Sequence, residues 1–193
     1  MSRPVLATDR ICLEPMTIKH LPLLVELDAD AEVMRYILGR ARTAQEVQDY
    51  WGPICSDVDA DAVGLGWWIG RRSSDGEFLG WWDLCPARPV PTRPTCAEMG
   101  WRLASRHWRR GYATGGALAL LDHGFATVGL NDLWAQTMAV NEPSRAVMTK
   151  LAMHHLRTDH RFWDEPLPGA EQGEVVYSIS RQAGADGDTE PPR

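Results

Sequence analysis

The amino-acid sequence predicts an α/β (α+β) fold in which helices flank a β-sheet. In Glu98–Leu103, apolar residues alternate with polar or small ones, and a period of two is typical of a strand. A basic loop to Gly111 follows, and the next segment has the three- and four-residue apolar spacing of a helix. A second strand and helix begin near Asp132 and Asn141. This βαβα order implies parallel strands at the centre of the sheet.

The N-terminal part predicts one strand followed by helices that we expect to form a lid. Thr43 and Glu46 have the spacing of a capping box, which marks a helix start. The predicted elements are a strand over Asp9–Pro15, a helix capped by Thr17 and running through Leu27, a helical region over Asp30–Leu38, and a helix from Thr43 to about Ile54.

Two apolar segments on either side of the turn-rich tetrapeptide Ser73–Gly76 predict a hairpin of strands over Gly64–Arg72 and Glu77–Leu84. The proline-rich stretch Pro86–Pro94 then predicts a loop, because proline has no N–H to give to a sheet interior.

The C-terminal half predicts alternating helices and strands, with Pro143 tolerated in a first helical turn. The apolar face of the helix after Gly111 is expected to contain Ala117, Leu118, Leu121, Phe125 and Val128. The later elements are a strand over Asp132–Val140, a helix from Asn141 to about Ala152, and strands over His154–Trp163 and Glu174–Ser180. We expect residues 1–181 to form a single domain and the polar tail 182–193 to be disordered.

Composition narrows the function classes. The chain has 193 residues, a hydrophobic fraction of 44%, a charged fraction of 24% and a net charge of −6. An acidic balance argues against a nucleic-acid surface and weakly favours a cationic partner. The sequence shows no membrane span and no signal peptide, so we expect a cytoplasmic protein. Its cysteines are spread out without a CxxC pair, which indicates reduced thiols.

The junction around Gly111 has the form of a phosphate-binding loop. Free N–H groups in a first helical turn, together with the helix dipole, suit a pyrophosphate. A Walker motif is excluded because no Lys-Ser/Thr pair follows Gly111, and the dinucleotide pattern GxGxxG is absent.

The segment Arg110-Gly111-Tyr112-Ala113 resembles the acyl-CoA pyrophosphate loop of the GNAT superfamily of N-acetyltransferases, Gln/Arg-x-x-Gly-x-Gly/Ala, with Trp108 at the first position. The resemblance implies a mixed, strongly twisted sheet that splays open beside the loop, with the pantetheine arm of acetyl-CoA lying in the opening. In particular, GWRLASRHWRRGYATGG and NEPSRAVMTKLAM resemble the ribosomal-protein-alanine acetyltransferase (RimJ/RimL-like) branch. Two departures are Gly115-Gly116, which weakens the helix start, and Met148, which stands where many GNAT enzymes have a tyrosine acid.

The resemblance assigns roles to individual residues. Main-chain groups at Trp101 and Leu103 are expected to pair with pantetheine. Asn141 is expected to contact the cofactor, and Ser144 to lie near the thioester and protonate the thiolate. Glu98, on the strand face opposite Met99, is expected to be the base that removes the amine proton. The pyrophosphate is expected to be held by Arg109, Arg110, Gly111, Tyr112, Ala113 and Thr114.

The tryptophan pairs are the candidates for the acceptor site. One indole from each of the pairs Trp67-Trp68 and Trp81-Trp82 is expected in the core, and the others either wall an acceptor pocket or pack. The histidines His154, His155 and His160 lack a completing carboxylate, so no metal site is predicted.

The sequence therefore predicts an acetyl-CoA-dependent N-acetyltransferase that needs no metal and acts by direct attack of a primary amine in a ternary complex. The acceptor is a protein N-terminus or a small amine, with neither nucleic acid nor membrane as partner. Two alternatives remain open: a non-catalytic acyl-CoA-binding module, and a protein that binds ATP with the same loop. The oligomeric state is open, with a homodimer as one option.

Overall fold

The computed structural model describes residues 2–87, 89–162 and 164–181. They contain an eight-stranded sheet in the order β1-β2-β3-β4-β5-β6-β8-β7. The strands are β1 Leu6–Ala7, β2 Ile11–Pro15, β3 Gly66–Arg72, β4 Phe78–Cys85, β5 Cys96–Leu103, β6 Asp132–Met138, β7 His154–Asp159 and β8 Glu174–Ser180. The β5/β6 pair is parallel and the other neighbouring pairs are antiparallel. This mixed sheet confirms the predicted fold class.

Four α-helices flank the sheet, and they are α1 Leu21–Asp28, α2 Ala44–Ser56, α3 Tyr112–Asp122 and α4 Glu142–Lys150. Residues of α3 and α4 pack with Met99 and Leu103 on one face. Residues of α1 and α2 pack with Ile69 and Trp81 on the other face. The predicted capping box of α2 is present, since the Thr43 side chain accepts from the Glu46 N–H and Glu46 accepts from the Thr43 N–H.

The predicted helix over Asp30–Leu38 is wrong, because this segment is a series of turns. The Asp30 carboxylate accepts the N–H of Glu32, which offers the backbone an alternative to a helical bond. Further on, the N–H groups of Ile37, Leu38 and Gly39 all donate to the carbonyl of Met34, so no regular ladder forms.

Several strand boundaries also differ from the predictions. The strand expected from Asp9 begins at Ile11, because Thr8 and Ile11 close a turn through backbone and hydroxyl contacts. The two-residue strand β1 was not predicted. The strand expected to reach Trp163 ends at Asp159, and Trp163 lies outside the described residues. The predicted tail 182–193 lies outside them as well.

The predicted apolar face of α3 is partly wrong, because Leu118 is 48% exposed. The helix buries Ala117, as predicted, together with Tyr112, Gly116 and Leu120. Gly116 faces Trp82, whose indole N–H donates to the Ala113 carbonyl at 3.1 Å. The helix therefore turns its smallest residue towards the largest core side chain. A π-helical segment, His123–Val128, continues α3.

No helix in the part of the chain that the structure describes is long and apolar enough to cross a membrane.

Candidate active site

Strands β5 and β6 separate after a short paired segment. They pair in parallel at Cys96 with Asp132, Ala97 with Leu133, and Glu98 with Trp134. Beyond that point β5 continues to Leu103 and β6 to Met138 without pairing to each other. The sheet therefore opens at Glu98, as the family resemblance implies.

The main chain of β5 faces this opening with an unpaired edge. The Ala104 N–H donates to the Leu79 carbonyl of β4, whereas the Leu103 carbonyl on the opposite edge accepts the Trp108 indole N–H at 2.8 Å. Because main-chain groups alternate between the two edges of a strand, those of Met99, Trp101 and Leu103 point into the opening. An extended chain can thus pair with β5 as an added strand. The Leu103 carbonyl already has a partner.

Trp108 stands where the resemblance expects Gln or Arg, and the structure shows what it does. Its indole N–H ties the loop back to the end of β5 through the Leu103 carbonyl. The residue that departs from the family pattern therefore holds the loop against the end of the strand.

The loop after β5 presents a run of free N–H groups. Arg109 and Gly111 have φ values of 58° and 81°, both in the left-handed region. Gly111 is the N-cap residue of α3, and no side chain caps this helix. Among the described residues, none accepts a hydrogen bond from the backbone N–H groups of Arg109 to Thr114. This arrangement is a ready anion site at a helix N-terminus.

Two arginines belong to the loop and a third supports it. Arg109 and Arg110 are exposed, and neither guanidinium pairs with another side chain in the described ranges. Arg10 donates to the Arg110 carbonyl at 3.0 Å and its guanidinium lies 4.6 Å from the centre of the Tyr112 ring. Sequence reasoning missed Arg10, since nothing in its local pattern indicates a contact one hundred residues away.

Asn141 and Ser144 lie beyond the end of β6, on the other side of the opening. The Asn141 side chain accepts from the Ser144 N–H at 3.4 Å and donates to the Thr137 hydroxyl at 2.9 Å. The amide therefore caps α4 and keeps one N–H to spare. The Ser144 hydroxyl makes no hydrogen bond with another described residue. Helices α3 and α4 contact each other, so the loop and this pair flank the same opening.

Met148 is buried at 1% exposure among the core residues. Its thioether cannot donate a proton. Met148 therefore cannot act as the acid that the resemblance expects of a tyrosine at this position.

Glu98 occupies the point where β5 and β6 separate, since it belongs to their last paired position. Its side chain is partly buried and lies on the face of the sheet opposite Met99, as predicted. Burial raises the pKa of Glu98, Arg161 lowers it, and Glu174 raises it further. A carboxylate whose pKa is raised suits a general base.

The aromatic pairs divide between the two faces as predicted. Trp68 and Trp82 are fully buried in the core beneath α3. Trp67 and Trp81 pack edge to face with Trp51 of α2, with ring centres 5.1 and 5.5 Å away, and with each other at 4.8 Å. Trp81 is 6% exposed and packs, while Trp67 is half-buried and is the one of the two with surface for an acceptor.

Sequence reasoning also missed the buried polar groups on the side of the sheet that α1 and α2 cover. Asp28 is fully buried and accepts from Arg102 at 2.8 Å, from Arg42 at 2.9 Å and from the Trp51 indole at 2.9 Å. Asp83 of β4 is also buried on this face. Period-two alternation could have placed Asp83 on the face of Trp81, but only the strand register places it beside Glu98.

The comparisons with known proteins agree with this geometry. The model of the acetyltransferase (GNAT) domain family matches residues 10–154. The chain is 36% identical over 188 residues to the FsC-acetyl coenzyme A-N(2)-transacetylase of Aspergillus fumigatus, covering 94% of this chain and 78% of that protein.

Solved structures show the same fold. An acetyltransferase from Agrobacterium tumefaciens has a TM-score of 0.69 and 26% identity, with 94% of this chain and 96% of that one covered. Mycobacterium smegmatis RimJ, solved with CoA-disulfide, has a TM-score of 0.69 and 21% identity, with 88% and 81% covered. From the family match and the relative, the chain belongs to the GNAT acetyltransferase family and is an acetyl-CoA-dependent acyltransferase.

Proposed function

We propose that this protein is an N-acetyltransferase that moves the acetyl group of acetyl-CoA to a primary amine, by direct attack within a ternary complex. The observation that carries the proposal is the unpaired β5 edge leading into a run of free N–H groups at the start of α3. An amide-containing arm can pair along the edge, and a pyrophosphate can accept from the loop.

The residues present fit acetyl-CoA. Gly111 has no Cβ, and the nearest atom to one built there is Nη1 of Arg10 at 3.6 Å, so the loop backbone is open to an incoming phosphate. The exposed guanidinium groups of Arg109 and Arg110 supply compensating charge. We assign the pyrophosphate contacts to the backbone of Arg109–Thr114 and the pantetheine contacts to the main chain of Trp101 and Leu103.

Glu98 acts as the general base. An alkyl amine is mostly ammonium at neutral pH, so a proton must leave the nitrogen before it attacks the thioester carbon. Glu98 lies where the opening begins and its raised pKa favours proton uptake. The nitrogen lone pair then forms the amide bond while the carbon–sulfur bond breaks, and the second N–H proton of the nitrogen replaces the one that the departing sulfur takes up.

Ser144 protonates the departing thiolate, a role that buried Met148 leaves vacant. The support for this assignment is a free hydroxyl on the first turn of α4, held in place by the Asn141 cap. The spare amide N–H of Asn141 is assigned to the acyl-CoA.

The acceptor is an amine of a small molecule or a protein N-terminus. The 36% identical relative is named as an N(2)-transacetylase, which supports a nitrogen acceptor. Half-buried Trp67 is assigned to the wall of the acceptor site, because it lies on the same sheet face as Glu98.

A thiol-release assay with a panel of amines and N-terminal peptides tests the proposal. We expect acceptor-dependent release of CoA and a product heavier by one acetyl group. A non-catalytic acyl-CoA-binding module would bind CoA yet release no thiol with any acceptor. A nucleotide-binding protein would show a larger thermal shift with ATP than with CoA.

A further inference from the structure

The register of β4 and β5 brings a second carboxyl group next to Glu98. Asp83 is paired with Gly100, and Cys85 is paired with Glu98. Side chains two residues apart on a strand share a face, so Asp83, Cys85, Glu98 and Arg102 all project from the same side of the sheet. This is the side covered by α1 and α2.

Gly100 makes room for the Asp83 carboxyl. A Cβ built on Gly100 would lie 2.3 Å from Oδ1 of Asp83. The carboxyl therefore leans across the backbone of β5 at the position between Glu98 and Arg102. Asp83 is 4% exposed, so this group has almost no access to bulk water.

The charges around Asp83 do not neutralise it. Arg102 donates at 2.8 Å to Asp28, which also accepts from Arg42, so its charge is already engaged. Burial raises the pKa of Asp83 to about 8, a hydrogen bond from Cys85 lowers it, Glu98 raises it, and Arg102 lowers it. Glu98 in turn faces Arg161 and Glu174. Asp83 is buried and has no cation of its own, so at neutral pH its carboxyl retains its proton.

We propose that Asp83 is a positioning residue that sets the alkaline limit of acetyl transfer, by retaining a proton beside Glu98. This inference rests on the proposed function. While Asp83 is neutral, it adds no charge beside Glu98, the carboxyl group that meets the acceptor ammonium. Once Asp83 ionises, two adjacent carboxylates hold the acceptor in its cationic form, which cannot attack.

The proton steps balance with Asp83 as a spectator. The ammonium N–H bond breaks, an O–H bond forms on Glu98, and the freed lone pair attacks the thioester carbon. As the carbon–sulfur bond breaks, the Ser144 hydroxyl gives its proton to the sulfur and regains one from the second N–H of the attacking nitrogen. The proton on Glu98 then leaves to solvent before the next turnover. Asp83 gains and loses no proton during the cycle, so its ionisation state enters only through its charge.

Infrared titration of the carboxyl groups tests the assignment without relying on activity. Wild-type protein should show a protonated-carboxyl band at pH 7 that disappears by about pH 9.5. Asp83→Asn should lack this band, and Glu98→Gln should lose it at lower pH because the neighbouring charge is gone. Asp122→Asn, at an exposed aspartate of α3, is the matched control and should retain the wild-type titration. A band that persists in Asp83→Asn, or that titrates identically in Glu98→Gln, would overturn the proposal.

The pH profile of kcat/KM then connects the titration to the reaction. Wild-type enzyme should lose activity above about pH 8, whereas Asp83→Asn should stay within about threefold of wild type at pH 7 and lack the alkaline decline. An unchanged decline in Asp83→Asn would overturn the role of Asp83 while leaving the acetyl-transfer function intact. Conversely, a correct infrared titration without acetyl transfer to any amine would refute the proposed function and, with it, the role of Asp83 in catalysis.

Discussion

Gly116 of α3 lies against the indole of Trp82. A Cβ built on Gly116 would be 2.5 Å from Cε2 of Trp82, which is fully buried and cannot move aside. The neighbouring Gly115 is less restricted, because its nearest contact would be Cδ1 of Ile11 at 3.3 Å. The glycine pair that weakens the helix start thus has a packing role at its second position.

Gly116→Ala should destabilise the fold by about 1–3 kcal/mol through overpacking, despite the better helix propensity of alanine. Gly115→Ala is the control and should lower the stability clearly less, since the end of one isoleucine side chain needs to move by only a few tenths of an ångström. Urea denaturation measures both. Equal stability of the two variants would contradict the close packing of Gly116 on Trp82.

Gly111→Val should abolish CoA binding, because a branched side chain would enter the space of the phosphates and disfavour a φ of 81°. Arg109→Ala should weaken binding only partially, since backbone N–H groups do most of the holding. Gly129→Val is matched for strain, with a φ of 82° and no atom within 4 Å of a built Cβ. By calorimetry it should bind CoA normally, and normal binding by Gly111→Val would refute the loop assignment.

Asn141→Ala should raise the KM for acetyl-CoA, whereas Ser144→Ala should mainly lower kcat. Asn141→Ala also removes a helix cap and should cost about 1 kcal/mol of stability. Thr43→Ala removes the cap of α2 in the same way and controls for that loss, so its steady-state constants should remain near wild type. Small, equal effects of the Asn141 and Ser144 changes would favour a purely structural turn and cap.

Asp83 makes the stability of the protein depend on pH. Its folded pKa of about 8 lies above the usual aspartate value of 3.8, so between these pH values the folded state binds more protons than the unfolded state. Stability should therefore fall as pH rises from about 4 to about 8, by at most about 6 kcal/mol. Asp83→Asn should flatten this dependence in denaturation curves at pH 5, 7 and 9. If the free energy of unfolding of Asp83→Asn still depended on pH in the same way, the dependence would come from other groups.

Local periodicity carried most of the fold prediction. The Thr43 capping box, the hairpin around Asp75 and the alternation in β5 are encoded within a few residues, so the sequence alone reveals them. The helix prediction for the segment after Asp30 was wrong, because a hydrogen bond from the backbone to a side chain competes with the helix. The spacing of apolar residues gives no information on such contacts.

The site residues likewise fall into those that local sequence predicts and those that it does not. Glu98 and the loop at Gly111 follow from strand phase and from a local motif. The contact of Arg10 with the loop and the position of Asp83 depend on long-range pairing, and the β4/β5 register is set across a proline-rich connection. Nothing in the local pattern specifies that register.

The proposed base is tested most directly by the pH dependence of amine acetylation in Glu98→Gln compared with wild type. Glutamine keeps the shape of the side chain and removes its basicity, so kcat should fall at neutral pH and partly recover at high pH, where the amine deprotonates unaided. Wild-type turnover with an unchanged pH profile in Glu98→Gln would contradict proton removal by Glu98 at the opening between β5 and β6.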